Sequence, residues 1–390
     1  MPLLGSVPGP VLIACALSFV LYIGAYIRIP LVPLFASELG ASTVQVGMIN
    51  AGFMLAAALL SVPLGLVSDR LGRRRLVLAG MVVSGLTSVF LIAARSPAQV
   101  GAIYLFSGVG LACFSPAMMS YVGDVAPPQL LGRSYGWYTS ALYLGMALGP
   151  GLGGAIGAAG FRTAFLVSAT VVGAGILLGI PRMPAPPPVM RSASTNVVAD
   201  LREILANRAV IACWVLTFFT TYAWGASFSF FPLYARDAGI SVANIGLIFT
   251  SQAASNALAR IPIGHLTDRT GRRDLYIVFG CLGFALCIAG IGQFSSPAPL
   301  YALFLLAGGS MAAAFTAVGA LLSESVDTRV RGLAMGGYST CIYSGFAVSA
   351  ATLGTVIHRF GYSAGFAAAG GLCAVATLAF PLIFAPSKKG

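Results

Sequence analysis

Charge is scarce in this 390-residue chain: only 8% of its residues are Asp, Glu, Lys or Arg, against roughly 25% in soluble domains. That deficit excludes an ordinary water-soluble domain. Acid is scarcer still, with 10 Asp and Glu against 22 Lys and Arg. All ten carboxylates fall at or beyond the ends of apolar runs, so a proton carrier in the middle of a membrane is missing. Histidine numbers two (His265 and His358, both near run ends), and the seven cysteines show no CxxC pair. No metal-ligand set follows, and cysteines inside apolar segments are expected to be buried small hydrophobes. No Walker motif or catalytic triad occurs, so neither a cofactor nor enzymatic chemistry is expected. A net charge of +12 would suit nucleic acid if it formed one basic face of a soluble domain. Here the arginines lie between apolar runs, and no nucleic-acid partner is expected.

What the chain has in abundance is apolar length. Hydrophobic residues make up 58%, the mean hydropathy is +0.92, and stretches of about 20 apolar residues each suffice to cross a bilayer core. Runs bounded by Gly, Pro and charge fall near 11–35, 43–67, 76–95, 98–122, 134–158, 161–180, 209–234, 243–266, 275–294, 298–322, 332–357 and 361–384. Runs this long must satisfy their own backbone in lipid, which predicts an all-α membrane protein of twelve transmembrane helices. The start of the chain lacks a basic segment, so the first helix is expected to remain as an anchor.

Arginine placement predicts the orientation. With both termini cytoplasmic, sixteen Lys and Arg fall inside (Arg70, Arg73, Arg74, Arg75, Arg133, Arg182, Arg191, Arg202, Arg208, Arg269, Arg272, Arg273, Arg329, Arg331, Lys388 and Lys389) and four outside (Arg95, Arg162, Arg236 and Arg359). Such a bias is expected of a multi-pass protein of the inner (plasma) membrane. Residues 181–208 read as a cytoplasmic linker: a Pro-rich run from Pro181, a Ser/Thr patch and a short amphipathic helix around Val198, Leu201 and Leu205. It separates an N-terminal six-helix half, 1–180, from a C-terminal six-helix half, 209–390.

The halves repeat. A shift of 199 positions aligns Pro33-Leu34-Phe35-Ala36 with Pro232-Leu233-Tyr234-Ala235, and the stretch from Pro63 to Arg74 with that from Pro262 to Arg273. One more residue of offset aligns Asp124 with Glu324, Gly132 with Gly332, Tyr138 with Tyr338 and Tyr143 with Tyr343. A six-helix unit repeated in the same orientation predicts two pseudo-symmetric bundles related about the membrane normal, with a midplane site between them and transport by alternating access.

Two motifs add identity to this pattern. Gly65-Leu-Val-Ser-Asp69-Arg70-Leu-Gly72-Arg73-Arg74 resembles the loop 2–3 signature of the major facilitator superfamily, and the stretch containing Gly264, Asp268, Gly271 and Arg272 resembles its second-half echo. The chemistry suits a gate: Gly65 permits close helix approach, Gly72 a tight turn, Asp69 a cap on a helix N-terminus, and Arg73 can reach Asp124. Asp124, Glu324 and Arg260, the last lying two turns inside Asp268, join this gating set. Gly145-x3-Gly149-Pro150-x2-Gly153-Gly154 resembles the motif of the superfamily's efflux (antiporter) branch; a glycine face with a proline offers close packing and a bend. One departure weakens proton coupling. Where many such exporters carry an arginine four residues before a glycine of the fourth helix, Tyr104 precedes Gly108.

For the cavity, Arg28 stands out as a cation inside a span, where partners, water or a ligand must compensate it. The resemblance places the first, fourth, seventh and tenth helices around the cavity, nominating Tyr22, Tyr26, Phe114, Met118, Tyr222, Trp224, Phe315 and Thr316 for substrate contact. Asn50, Tyr138, Gln252, Asn256, Tyr338 and Tyr343 add polar groups from flanking helices. An aromatic, Met-bearing wall with few charges suits small amphipathic solutes. The expectation is a secondary active transporter, a monomer in the lipid bilayer, exporting such drugs or metabolites, with a proton as possible coupling partner. The alternatives are a uniporter, exchanger or importer of an organic anion held by Arg28, and a non-transporting membrane receptor.

Overall fold

The computed structural model describes residues 8–127, 130–185, 197–327 and 330–384, without the side chains at 69, 132, 197–199 and 332. Arg191, Arg329, Lys388 and Lys389, the Pro-rich and Ser/Thr part of the linker from residue 186, and the side chains of Asp69 and Val198 therefore lie outside what is described.

Every regular element among the described residues is helical, as long uncharged runs demand. α1 (Gly9–Arg28) breaks at Ile29 and Pro30 and continues as α2 (Leu31–Glu38); together they form the first span, Gly9–Glu38. There follow α3 (Thr43–Leu71), α4 (Arg73–Ala93), α5 (Pro97–Val125), α6 (Leu131–Gly157) and α7 (Phe161–Arg182). After the linker helix α8 (Val197–Ala206) come α9 (Arg208–Asp237), α10 (Val242–Thr270), α11 (Arg273–Gly290) with a short 3-10 turn, α12 (Pro297–Glu324) and α13 (Arg331–Phe384). Gly361 has a non-helical backbone and divides α13 into two spans. Twelve transmembrane helices result, six on each side of the linker, in two pseudo-symmetric bundles.

Local chemistry sets the helix ends. Ser42 and Gln45 form a reciprocal capping box at the start of α3, and the Asn207 side chain accepts from the Ala209 and Val210 amides to start α9. Among the described residues positive φ is confined to glycine, at Gly40, Gly72, Gly160, Gly239, Gly271 and Gly361, where a side chain would strain the turn. Paired across the halves, these glycines measure the repeat: Gly40 and Gly239 differ by 199, as do Gly72 and Gly271, whereas Gly160 and Gly361 differ by 201. Duplicated turns kept their conformation while single residues accrued between them.

By contacts the chain divides into Met1–Met190 with Ser241–Thr250, and Arg191–Ile240 with Ser251–Gly390. In the first unit α1 packs on α6 and α7, and α5 on α3 and α4. In the second, α13 packs on α9 and α11, and α11 on α12. Six cysteines are buried and free, including Cys213, Cys281 and Cys373 in the second unit; Cys341 is partly exposed.

Candidate functional site

Each half carries the same charged device where its third span begins. In the first unit Arg73, first residue of α4, reaches Asp124 near the end of α5, Nε to Oδ2 3.1 Å, and its Nη1 donates to Ser68 Oγ at 3.2 Å. In the second unit Arg273, first residue of α11, forks onto Glu324 at the end of α12, at 2.8 and 2.6 Å, with Asp268 at 3.3 Å. Both pairs span 51 residues. Gly72 is followed at once by helix, whereas Gly271 is followed by Arg272, the residue that precedes α11. The extra residue sits in that turn. Sequence alignment by identical letters sets Arg272 opposite Arg73 and Arg273 opposite Arg74, yet the structural counterpart of Arg73 is Arg273, and the signal is the change of offset from 199 to 200.

The other residues of the expected gating set are dispersed around these pairs. Arg74 donates to the Ile180 carbonyl of α7, and Arg70 is exposed. Arg260 Nε donates to Asn256 Oδ1 at 2.9 Å, and Asn256 Nδ2 to the Gly308 carbonyl at 3.2 Å, so these residues form a polar chain from α10 to α12. Gly65 and Gly264 face Pro116 and Thr316 at ordinary contact distance. Glu324 also lines a cavity of ≈ 300 Å³ with Glu203, Asn207 and Asp327 beside the linker helix.

The glycines of α6 make two seams. A methyl group on Gly145, Gly149 or Gly153 would strike the α1 backbone or Cβ atoms from Phe19 to Ile27, which explains a spacing of four residues along one helix face. On the other side, inside the same unit, one on Gly154 would overlap Val242 and Gly246, and the Gly151 N–H donates to Thr250 Oγ1 at 2.9 Å. That amide follows Pro150, whose ring disturbs the normal helical ladder.

Aromatic candidates gather into one cluster per unit. Tyr22 stands 6.2 Å from both Tyr26 and Phe114, centroid to centroid. Trp224 lies 5.0 Å from Phe346 and 6.4 Å from Phe315, which in turn meets Tyr338 at 6.3 Å. Burial separates the members. Phe114 and Met118 are fully buried in the core of the first unit and Tyr138 nearly so, positions suited to packing; Tyr26, Trp224, Phe315, Thr316, Tyr338 and Tyr343 keep partial exposure. Tyr222 shares a 2.9 Å hydrogen bond with Thr352. Asn50 and Gln252 are buried with their amide nitrogens unpaired.

Arg28 does not stand open to a cavity: it is 1% exposed. Its Nη1 donates to the Ser84 carbonyl and to Ser88 Oγ, both at 2.8 Å, and Nη2 to Ser84 Oγ at 3.0 Å. Ser88 Oγ meets Ser168 Oγ at 2.9 Å, and Ser168 Oγ donates to the Gly24 carbonyl at 2.7 Å. The network thus runs from α1 through α4 and α7 back to α1. The sequence could not show these serines as partners, because 56 to 144 residues separate the bonded atoms.

Comparison with known proteins agrees with this architecture. The family model of the Major Facilitator Superfamily matches residues 14–237 and 213–390. The chain is 23% identical over 360 residues to an uncharacterized MFS-type transporter of Methanocaldococcus jannaschii, covering 90% of this chain and 92% of the relative. It is 23% identical to the cis,cis-muconate transport protein of Acinetobacter baylyi, over 90% and 88% of the two chains. To the quinolone resistance protein NorA of Staphylococcus aureus it is 20% identical over 62% of this chain and 63% of that one. Among solved structures, the nucleoside transporter NupG superposes with a TM-score of 0.80 at 15% identity, over 97% and 100% of the chains, and a bacterial homolog of the human lysosomal transporter Spinster with 0.76 at 15%, over 98% and 96%. With both halves matched by the family model and the whole length sharing the fold, the chain belongs to the Major Facilitator Superfamily.

Proposed function

We propose that this transporter works by alternating access and exports small amphipathic solutes across the plasma membrane, with both termini and the Arg73 and Arg273 ion pairs on the cytoplasmic side. The observation that carries the reading is the matched pair of charged devices, one per half, at equal spacing. Such ion pairs tie neighbouring helix ends within each half, which lets a half move as a body when a carrier exchanges one open face for the other. Direction rests on α6, whose glycine seams pack against α1 and the first turns of α10, and on the name of the quinolone resistance relative. Substrate class rests on the two aromatic clusters, where half-buried Tyr26, Trp224, Phe315 and Tyr338 offer π faces and few charges.

A second reading, carriage of an organic anion inward or in exchange, is favoured by Arg28, which has no carboxylate partner among the described residues, and by the muconate transport protein among the relatives. Flux in proteoliposomes separates the two. Labelled amphipathic cations, neutral sugars and organic anions are loaded with and without a pH gradient. Gradient-driven efflux of an amphiphile, whatever its charge, supports export; gradient-independent exchange confined to anions supports the second reading. Substrate-dependent conformational change without flux of any compound would point to a receptor and sink both.

A further inference from the structure

Arg28 is the most deeply buried charge of the described chain, and the way it is satisfied is unusual. All its hydrogen-bond acceptors are neutral: two serine hydroxyls and a carbonyl on α4. Its Nε is buried without a hydrogen-bond partner, and its other electrostatic neighbour is the Tyr104 phenol, 2% exposed. Serine dipoles orient the guanidinium and lower its solvation cost, but dipoles carry no net charge, and a guanidinium does not give up its proton readily. One whole positive charge therefore remains inside the first bundle at a break in a transmembrane helix. Isolated charges in such places are costly and persist where they serve a function.

The repeat shows that the fold does not require it. At the offset of 199 that holds through this part of the chain, the counterpart of Arg28 is Ser227, whose hydroxyl donates to the Trp224 carbonyl of its own helix at 2.8 Å. The second unit builds the same span with no charge at this position. Arg28 is also six residues from Tyr22, about 9 Å along a helix at ~1.5 Å per residue, so its field acts on the aromatic cluster that contains Tyr22 and Tyr26. At such a distance and an effective dielectric constant of about 20, a unit charge alters the occupancy of another unit charge by on the order of tenfold.

We propose that Arg28 is the charge filter of this carrier, a specificity-determining residue that acts through its field from inside the bundle: amphipathic solutes that are neutral or anionic are accepted, and cationic ones of the same shape are rejected. The proposal rests on the reading of the chain as a carrier of amphipathic solutes and narrows its substrate class. It assigns no direct contact between Arg28 and the solute, since the guanidinium is enclosed by α1, α4 and α7.

The test uses the full chain in proteoliposomes and three probes that share an apolar body: 4-phenylbutyrate, 4-phenylbutanamide and 4-phenylbutylammonium. Counterflow of each is measured for the native chain, Arg28→Lys, Arg28→Gln and Ser84→Asp, with thermal unfolding in detergent as a control for folding. The native chain should favour the anion over the cation by roughly tenfold or more. Arg28→Lys keeps the charge and should keep the preference. Ser84→Asp places a carboxylate where Ser84 Oγ now stands 3.0 Å from Nη2; it neutralises the charge in place and should bring the ratio close to one, even if Arg28→Gln proves too unstable to measure. Two results overturn the filter while leaving the carrier standing: preference for the cation in the native chain, or an anion-to-cation ratio unchanged in Ser84→Asp, each with the neutral amide still moving. If none of the three probes moves with a folded native chain, the reading of an amphipathic-solute carrier falls, and the filter with it.

Discussion

The two halves carry the same ion pair in different surroundings. Arg73 and Asp124 have side chains only 8% and 6% exposed, whereas Arg273 and Glu324 are 19% and 56% exposed. A charge pair withdrawn from water holds its helices firmly and tolerates the loss of neither partner, because the survivor is left as an unpaired buried charge. One that shares its solvent is worth little in stability and can open at little cost. Duplication therefore produced one rigid joint and one compliant joint from the same pairing of an arginine with a carboxylate. The same asymmetry recurs elsewhere: Gly153 is pressed against the Ile27 backbone while its counterpart at an offset of 200 is Leu353, and Arg28 is matched by Ser227.

The largest effect should come from breaking the rigid joint. Arg73→Ala is expected to destabilise the chain by about 3–5 kcal/mol, read as a large fall in the unfolding midpoint in detergent; a loss no greater than that of Arg273→Ala would erase the distinction between joints. Next comes the α6 seam, where Gly153→Val forces a branched side chain into the α1 backbone and should cost about 1–3 kcal/mol or more, visible as reduced yield of folded protein. Glu324→Gln, at the compliant joint, should cost about 0–1 kcal/mol and should change the rate of solute flux more than the unfolding midpoint, a split that thermal and flux assays on one preparation would show. The smallest effect is expected from Arg272→Ala, within about 0.5 kcal/mol. If flux and stability instead respond to Arg272 and not to Arg273, the structural equivalence of Arg73 with Arg273 is wrong.

Much of the fold is written in the chain because a membrane span is a matter of length and polarity alone. The predicted run 43–67 becomes α3 and 243–266 becomes α10 with ends shifted by a few residues, since charged and capping residues extend each helix past its apolar part. The pairing of Arg73 with Asp124 was also within reach, for both residues sit at helix ends that the apolar runs locate. Arg28 was not. Its depth marked it as unusual, but an arginine in a span held by two serines of one other helix reads in sequence like one that faces a ligand; only packing tells them apart. Arg273 was missed for a different reason: an alignment that maximises identical letters slides across a one-residue turn insertion, whereas the start of α11 fixes it.

The buried cysteines have a practical consequence. Because six of the seven thiols are enclosed and only Cys341 is partly accessible, replacing that one residue should leave a chain on which a cysteine introduced at any exposed position becomes the sole site for a fluorophore or spin label, so that the proposed alternating access can be tested without rebuilding the core.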